Sequence, residues 1–475
     1  MNRISSILLI LFVCSFSLYG QNREEWKQQY RQELQHYKDS TSERFLQYMQ
    51  RYWQAYDLFR GESYPAMPSP SQQPIVRTAD VPVRKDTVEP WTDTVLVRKN
   101  DTADTVVANA IAHHSIEIFS FDFYGVNLTV KLPAEVSSLA LTSVAEQKVA
   151  SFWRRLDACG TASYAVLLGT FRHEFRLDDW AFYDLARCLS AQVYPSDTNR
   201  QAVLVVYLLN HLRYDCRIGR YGNRLLPLVA TATTLYDTPY AAIDGRRYYA
   251  ASLPIFGGRL YTYSAAFPQA SKALDMHIYE APRLGVYRDI KRCYEYHYMG
   301  QTIKVSPNQQ MMDYYLARPQ TDLEVYASAA VESGVARAIE QCLRPVIDGS
   351  SDEQAVSLLL RYVQEGFAYG SDVEHLGRER TLFADELFHY PFSDCEDRVV
   401  LFAHLVRSLV GAEVVLVQFP DHVVAAVSLG DAALGCHYRL AGKKFIIADP
   451  TTRGARLGYL APRYQSQTPR IIRMS

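Results

Sequence analysis

The sequence predicts an α+β protein of several domains, because helix-like and strand-like segments occupy different stretches of the chain. Apolar residues recur at three- and four-residue spacing from Asn22 to Arg60, and apolar and polar residues alternate from Ile116 to Pro133. A helical block from about Ser143 to Leu212 precedes strand-like, tyrosine-rich segments from about Leu225 to Tyr326. With 475 residues, of which 48% are hydrophobic, the chain can form about two to four well-packed domains.

The first residues, 1–20, have the form of a cleaved secretory signal, with a basic start, an apolar run and a small residue at the exit. A lipid anchor on Cys14 is not expected, because Val13 is a poor residue to precede a lipid-acceptor cysteine. No later segment has the roughly 20 apolar residues that a membrane span requires. We therefore expect an exported protein, periplasmic or secreted, that begins near Gln21 and has no integral membrane span.

The composition names no partner. Fifty Lys and Arg residues against 51 Asp and Glu residues give a formal net charge of -1, so no global field favours a nucleic acid. Removal of the signal with Cys14 leaves seven of the eight cysteines, an odd number, so at least one is unpaired or pairs between chains. The absence of C-x-x-C among them argues against a zinc knuckle.

Two helix-forming segments show an internal similarity. Ser196 to Leu212 aligns with Ser393 to Leu409 at a constant offset of 197 (393 minus 196), with a shared Ser-Asp entry and matching leucines and valines. Any two buried helices can share aliphatic residues, but the shared entry favours a repeated module. In the earlier copy Thr198 stands where the later copy has Cys395.

Cys395 is the principal candidate for chemistry. Ser393 and Glu396 have capping-box spacing, which predicts a helix that starts at Ser393 with the thiol in its first turn. The unpaired amides and the positive end of the dipole there favour a thiolate. Asp394, Glu396 and Asp397 surround the sulfur with negative charge and oppose ionisation, so a nucleophile at this position needs a compensating cation.

A histidine and an aspartate follow at equal intervals of 27 residues (422 minus 395, and 449 minus 422). His422 opens a predicted strand and Asp449 closes another, just before a proline. The two side chains meet if these strands pair antiparallel and the segment around Cys436 is an excursion. If that segment is instead the middle strand of a meander, they lie at opposite ends of the sheet.

A cysteine at a helix N-terminus, a histidine that opens a strand and an aspartate that closes one in "DPT" resemble the transglutaminase-like superfamily, whose core is papain-like. The resemblance covers about Val346 to Tyr464 and implies Cys395 as nucleophile, His422 as general base and acid, and Asp449 as the group that orients the imidazole. It further implies Gln364, in "RYVQEGFAYGSD", as an oxyanion-hole donor. The family often has glycine before its cysteine, where this chain has Asp394.

The expected organisation combines these observations with the resemblance. In the last domain the cysteine helix packs on an antiparallel sheet. The expected divisions are a signal peptide at 1–20, a helical segment at 21–62, a proline-containing linker at 63–108, a β region at 109–138, a helical and β lobe at 139–260 that is a candidate degenerate transglutaminase-like repeat, a β-rich region at 261–345, and a transglutaminase-like catalytic domain at 346–475.

Two classes of function remain open from the sequence. One is a cysteine-dependent enzyme of acyl transfer that acts on an amide-bearing protein or peptide and needs no cofactor or metal. The other is a non-catalytic binding or scaffold protein with the same fold. Cys395, His422 and Asp449 could also bind zinc, although they lack a fourth ligand nearby. His173 and Glu174 begin a zinc-helix pattern whose second histidine is missing.

Overall fold

The structure is a computed structural model that describes residues 45–47, 49, 53–65, 73, 115–252, 258–263, 265–268, 270–285 and 293–474. The expected signal peptide, the first of the two expected N-terminal helices and most of the expected linker lie outside these residues. The described part contains both helices and antiparallel sheets, as expected of the α+β class. None of the helices in this part has the length and hydropathy needed to cross a bilayer.

A hairpin opens the continuous part of the chain and confirms the predicted strands there. Strands β2 (Ile116–Phe123) and β3 (Val126–Pro133) pair along their whole length. Their two-residue turn places Tyr124 and Gly125 at φ 47° and 77°, the left-handed conformation that tight hairpins require. A short helix, α1 (Ala134–Ser138), follows directly.

The predicted helical block is present as four helices around a common core. They are α2 (Glu146–Ala158), α3 (Ala162–Glu174), α4 (Asp179–Val193) and α5 (Thr198–His211). Asp178 caps α4 and Asp197 caps α5, each by accepting backbone N–H groups of the first turn. Helix α5 is buried over most of its length, so its aliphatic residues serve packing on several sides.

The strands after α5 form a closed barrel. They are β4 (Cys216–Tyr221), β5 (Arg224–Ala230), β6 (Tyr240–Ile243), β7 (Arg246–Tyr249) and β8 (Arg259–Thr262). Strand β1 (Gln54–Phe59) pairs with both β6 and β8 and closes the ring. Small and aliphatic side chains such as Leu228 and Ala241 fill its interior.

Strand β1 corrects the expected helix that would have continued to Arg60. Residues 45–47 and 49 are helical, but Gln54–Phe59 is extended. Its aromatic residues suit a strand as well as a helix, and hydrogen bonding on both edges to strands far along the chain outweighs local preference. The apolar spacing of one segment carries no information about strands far along the chain that will hydrogen-bond to it.

The segment predicted to be β-rich, 261–345, is mostly helical at its end. It contains the hairpin of β9 (Tyr294–Tyr298) and β10 (Gln301–Val305), and then helices α6 (Gln309–Leu316), α7 (Leu323–Ser328) and α8 (Ser333–Ile347). Tyrosine density favoured strands in the sequence, yet Tyr314 and Tyr315 are fully buried helix residues. Burial of these rings in tertiary contacts outweighs β-propensity.

The last lobe places one helix against a five-stranded antiparallel sheet. Helices α9 (Asp352–Gly366), α10 (Asp372–Leu376) and α11 (Cys395–Leu405) precede strands β11 (Val414–Phe419), β12 (His422–Ser428), β13 (His437–Leu440), β14 (Lys443–Ala448) and β15 (Arg470–Arg473), with α12 (Pro462–Gln465) before the last strand. A 3-10 turn spans Glu386–Phe388, and a π-helical turn, Val406–Val410, extends α11. The spatial order of the strands is β13-β14-β12-β11-β15.

The barrel and the last sheet have the same strand order. After α5, the barrel runs β6-β7-β5-β4-β8, and after α11 the sheet runs β13-β14-β12-β11-β15, so each strand has a counterpart in the same sequential and spatial place. The turns between β6 and β7 and between β13 and β14 are also alike, with two left-handed residues each: Asp244 and Gly245, and Ala441 and Gly442. The barrel differs by the extra strand β1. The two aligned helices, α5 and α11, thus precede strands that are arranged in the same order.

Candidate active site at the start of the Cys395 helix

Helix α11 begins at Cys395, so its N-terminal cap lies one residue after Ser393, the cap that the sequence predicts. Asp394 is the N-cap, and its capping box runs to Asp397 rather than to Glu396. Ser393 does not cap the helix and makes other contacts. Its backbone pairs with residue 369 in an isolated bridge, and its hydroxyl accepts a hydrogen bond from Arg398 Nε. The thiol therefore stands on the first helical residue, where backbone amides have no carbonyl partner within the helix.

His422 and Asp449 meet at one end of two neighbouring inner strands of the sheet. Strands β12 and β14 are direct neighbours and β13 lies outside β14, so the segment around Cys436 is the excursion that the triad requires. His422 Nε2 lies 3.1 Å from Asp449 Oδ2, and both side chains are buried. The pairing leaves Nδ1 as the ring nitrogen that can exchange a proton with another group.

Asp449 is held as a carboxylate. Burial opposes its ionisation, but hydrogen bonds from His422 and Thr452 outweigh that penalty, so the pKa of Asp449 is lowered from its usual value. The backbone N–H groups of Thr451 and Thr452 donate to Oδ1 at 2.9 and 3.0 Å, and the Thr452 hydroxyl donates to Oδ2 at 2.7 Å. A fixed carboxylate of this kind sets the orientation of the imidazole.

The Cys395 thiol is directed to a different partner. Its Sγ donates to Glu396 Oε2 at 2.8 Å, and among the described residues no hydrogen bond joins it to His422. Burial raises the pKa of the thiol well above its usual value, and Glu396 and Asp394 raise it further. The backbone amide of Val423, next to His422 in the chain, acts in the opposite direction. In this arrangement the thiol is protonated.

Two groups of acidic ligands adjoin the thiol. Ligand atoms of Asp394, Cys395 and Glu396 lie within 4.8 Å of one another, and so do those of Asp372, Asp394 and Asp397. The set of Cys395, His422 and Asp449 is not among the metal-ligand groups of the described residues. Asp397 Oδ1 also accepts the Leu382 N–H at 2.8 Å, so this carboxylate has a structural role.

The acidic cluster makes stability depend on pH. Burial and Asp397 raise the pKa of Asp372 to about 9, and burial raises the pKa of Asp397 to about 7. Both titrate near 4 in an unfolded chain, so the folded state binds more protons between pH 4 and 9, and stability is lost as pH rises through this window. We expect urea denaturation to give an unfolding free energy lower by about 1–2 kcal/mol at pH 8.0 than at pH 6.5.

Asp372→Asn should reduce this pH dependence, whereas Glu374→Gln on the exposed side of the same helix should leave it unchanged. Burial lowers the pKa of His404 to about 4, so from pH 6.5 upwards this group is neutral in the folded protein, and its protonation in the unfolded chain changes the free energy of unfolding by at most about 0.4 kcal/mol, in the opposite direction. A free energy of unfolding that rises or stays level from pH 6.5 to 8.0 would show that these carboxyls are not protonated in the folded protein.

Gln364 is not placed as an oxyanion donor. Its Nε2 donates to the carbonyl oxygens of Asp449 and Ala455 at 2.8 and 3.0 Å, and its Oε1 accepts the Gly454 N–H at 3.1 Å. The amide is thus fully engaged with the loop that carries Asp449. These contacts indicate that Gln364 positions this loop.

Sequence reasoning missed the aromatic support of His422. The Tyr464 ring stacks on the imidazole with centroids 5.4 Å apart and an interplanar angle of 19°, and Phe419 stacks on Tyr464 at 4.7 Å. Helix α12 supplies Tyr464 from a loop that no sequence pattern connects to His422. The stacked rings restrict the imidazole to one orientation.

The N-terminal part of the chain also reaches the site. The Tyr64 hydroxyl bonds to that of Thr381, and Gln73 Nε2 donates to the carbonyl oxygens of Gln364 and Thr451 at 3.5 and 3.2 Å. A cleft near Glu396 is lined by residues from both lobes, among them Tyr64, Pro65, Tyr236, Glu396, Gln418 and Arg470. No motif in the sequence indicates these contacts, because they depend on how the barrel meets the last lobe.

The remaining sequence candidates do not assemble a second site. His173 and Glu174 lie at the C-terminal end of α3, away from the triad elements in sequence and without a metal-ligand group in the described residues. Cys436 is a free thiol, as are the other six cysteines of the described residues.

Comparisons with known proteins give no assignment. No family model, no curated protein and no solved structure matches the chain. The resemblance to transglutaminase-like enzymes therefore rests on the identity, order and placement of residues in this chain.

Proposed function

We propose that the chain is an exported cysteine-dependent acyl-transfer enzyme of transglutaminase-like type that acts on amide bonds of a protein or peptide. The observation that carries this proposal is the Nε2 to Oδ2 hydrogen bond between His422 and Asp449 at the sheet edge against which α11 packs, with Cys395 as the first residue of that helix. Cys395 is the first residue of α11, His422 is the first residue of the strand on which this helix packs, and Asp449 follows β14; their types are those of a thiol nucleophile, a base and an orienting carboxylate.

The chemistry follows from the roles of these groups. His422 Nδ1 takes the thiol proton, and the Cys395 sulfur attacks the amide carbonyl carbon to form a tetrahedral intermediate. Collapse of the intermediate breaks the C–N bond, and the leaving amine takes the proton from the imidazolium. Water or a second amine then attacks the thioester, with His422 accepting the proton of the attacking group, and the thiol is restored.

Backbone amides can stabilise the oxyanion, in place of Gln364. The N–H groups of Cys395 and Glu396 lie in the first turn of α11, and within the described residues neither donates to a protein acceptor. Amides at a helix N-terminus also experience the positive end of the helix dipole. They are suited to charge that develops on a substrate oxygen close to the sulfur.

The front lobe has the same arrangement without the reactive groups. At the places that correspond to Cys395, His422 and Asp449, namely the first residue of α5, the first of β5 and the position 197 before Asp449, it has Thr198, Arg224 and Ser252. The matching strand order supports duplication of one module and loss of its chemistry in the first copy. We assign this lobe a structural role.

A binding or scaffold function is the second candidate, and a specific observation favours it. Cys395 is 1% exposed and His422 is 5% exposed, and the thiol is engaged by a carboxylate rather than by the imidazole. A chain that had lost catalysis would retain such a site only for its packing. Reactivity of the thiol therefore decides between the two candidates.

The test is site-resolved labelling of the non-reduced protein with an electrophile that carries a substrate-like amide. The partly exposed thiols Cys188, Cys293, Cys342 and Cys436 are internal controls, because passive labelling would follow exposure. We expect Cys395 to be modified first although it is buried, and Cys395→Ser to lose the fast phase. Labelling of the four exposed thiols ahead of Cys395 would favour the scaffold function.

A further inference from the structure

Glu396 both accepts a hydrogen bond from the thiol and lines the cleft between the lobes. Its Oε2 accepts the Sγ–H of Cys395, and the side chain is 4% exposed. The same cleft is lined by the exposed cation Arg470. Within the described residues no ion pair of Glu396 is present; its side chain hydrogen-bonds to the thiol and to the Asp394 carboxyl, and the cleft lies on its other side.

This contact conflicts with the catalytic arrangement. The nucleophile must give its proton to His422, yet the resting thiol gives its hydrogen bond to Glu396. One S–H group cannot be directed to both acceptors, so activation requires an exchange of partners. The exchange involves rotation of the thiol and movement of Glu396, while α11, β12 and β14 can keep their backbone positions.

We infer that Glu396 is a positioning residue that holds Cys395 in a latent state and releases it when the carboxylate moves into the cleft towards Arg470. With the carboxylate withdrawn, the thiol turns to His422 Nδ1 and the proton passes to the imidazole. In this step the S–H bond breaks and an N–H bond forms on His422, which gives a thiolate and an imidazolium, and no further reactant is needed. The inference deepens the proposed function and rests on it for its biological meaning.

Charged groups on each neighbouring element bear on this exchange. Asp394, Glu396 and Asp397 face it from α11, and His422 with the Val423 amide faces it from β12. Asp372 adjoins from α10, and Tyr64 and Glu379 lie within electrostatic reach of Glu396. Asp322 and Glu324, at the start of α7, line the same cleft as Glu396 and Arg470. Glu396 is the only one of the carboxylates whose side chain accepts the thiol hydrogen among the described residues.

The test measures the rate of alkylation of Cys395 by iodoacetamide as a function of pH, with mass spectrometry to identify the site. In Glu396→Gln we expect the rate at pH 7 to rise at least about tenfold and the midpoint of the pH profile to fall, because the negative charge beside the thiol is removed and the amide oxygen that replaces it is a weaker acceptor. Glu379→Gln is the matched control, since it removes a nearby charge without a contact to the thiol. An unchanged or slower rate in Glu396→Gln, or an equal rise in Glu379→Gln, would overturn the inference.

A second variant keeps the test independent of folding defects in Glu396→Gln. Arg470→Met removes an exposed cation from the cleft, so Glu396 should stay hydrogen-bonded to the thiol and the alkylation of Cys395 should slow. The double variant should be alkylated as fast as Glu396→Gln alone. Faster alkylation in Arg470→Met would contradict the inference. Labelling by the amide electrophile is measured in parallel. If Glu396→Gln accelerates alkylation while neither this variant nor the wild-type protein reacts with that electrophile, the inference about Glu396 stands and the proposed function fails. If the wild-type protein reacts with the electrophile but the alkylation rate of Glu396→Gln is unchanged, the proposed function stands and the inference about Glu396 fails.

Discussion

His422→Ala should slow labelling of Cys395 by a substrate-like amide electrophile at pH 7 by at least about 100-fold, the contribution typical of a general base. Without the imidazole, the thiol keeps Glu396 as its partner, and burial together with the nearby carboxylates disfavours the thiolate. Asp449 would also lose its ring partner, but its backbone hydrogen bonds from Thr451 and Thr452 keep the loop in place. The rate constant for modification at Cys395, measured by mass spectrometry, checks this expectation.

His437→Ala is the matched control for that experiment. His437 lies on β13 of the same sheet and is exposed. Among the described residues its ring has one hydrogen-bond partner, the carbonyl of Gly435. It should label at the rate of the wild-type protein. Equal rates for His422→Ala and the wild-type protein would mean that the imidazole takes no part in activating the thiol, and the triad interpretation would have to be given up.

Gln364→Leu should lower the free energy of unfolding by about 3 kcal/mol or more. The side chain is buried, and its loss leaves two carbonyl oxygens and one N–H group of the 449–455 loop without their partner. Each unsatisfied buried group costs about 1–3 kcal/mol. Labelling of Cys395 should slow as well, because the loop positions Asp449. Urea denaturation and labelling kinetics are the two measurements.

Glu365→Leu, one residue further on the same helix, is the control. Glu365 is partly exposed and pairs with Arg361 at 2.9 Å, a contact worth at most about 1 kcal/mol. An oxyanion donor would behave differently from a loop clamp: Gln364→Leu would then lose reactivity with its stability unchanged. That result would restore the role that the family resemblance implies.

The elements that the sequence predicted well have strong local signals. The hairpin from Ile116 to Pro133 follows from strict alternation, and the helical block follows from apolar spacing over several turns. The pairing of His422 with Asp449 was also accessible, since it needs only that two strands be antiparallel neighbours. The helix start at Cys395 was placed within one residue, because Ser393 and Asp394 are both good caps and only tertiary contacts of Ser393 decide between them.

The elements that the sequence did not predict depend on distant partners. Strand β1 looks helical because its aromatic residues suit either structure until both neighbours are known. The carbonyl partners of Gln364, the ring that stacks on His422 and the acceptor of the thiol hydrogen are likewise set by the approach of separate segments. Residue identity pointed to Cys395, His422, Asp449 and Gln364, but the contacts of these side chains depend on the three-dimensional arrangement.

The closure of the barrel by β1 has a consequence for biosynthesis. Gln54 leaves the ribosome early, yet its partner Thr262 and the β6 partner of Phe59, Tyr240, are made much later. The first strand to be synthesised is therefore the last able to find both neighbours. Until then its edges remain open to other strands, a hazard for any newly made chain. This delay keeps the barrel of the front lobe open until residue 262 has been made.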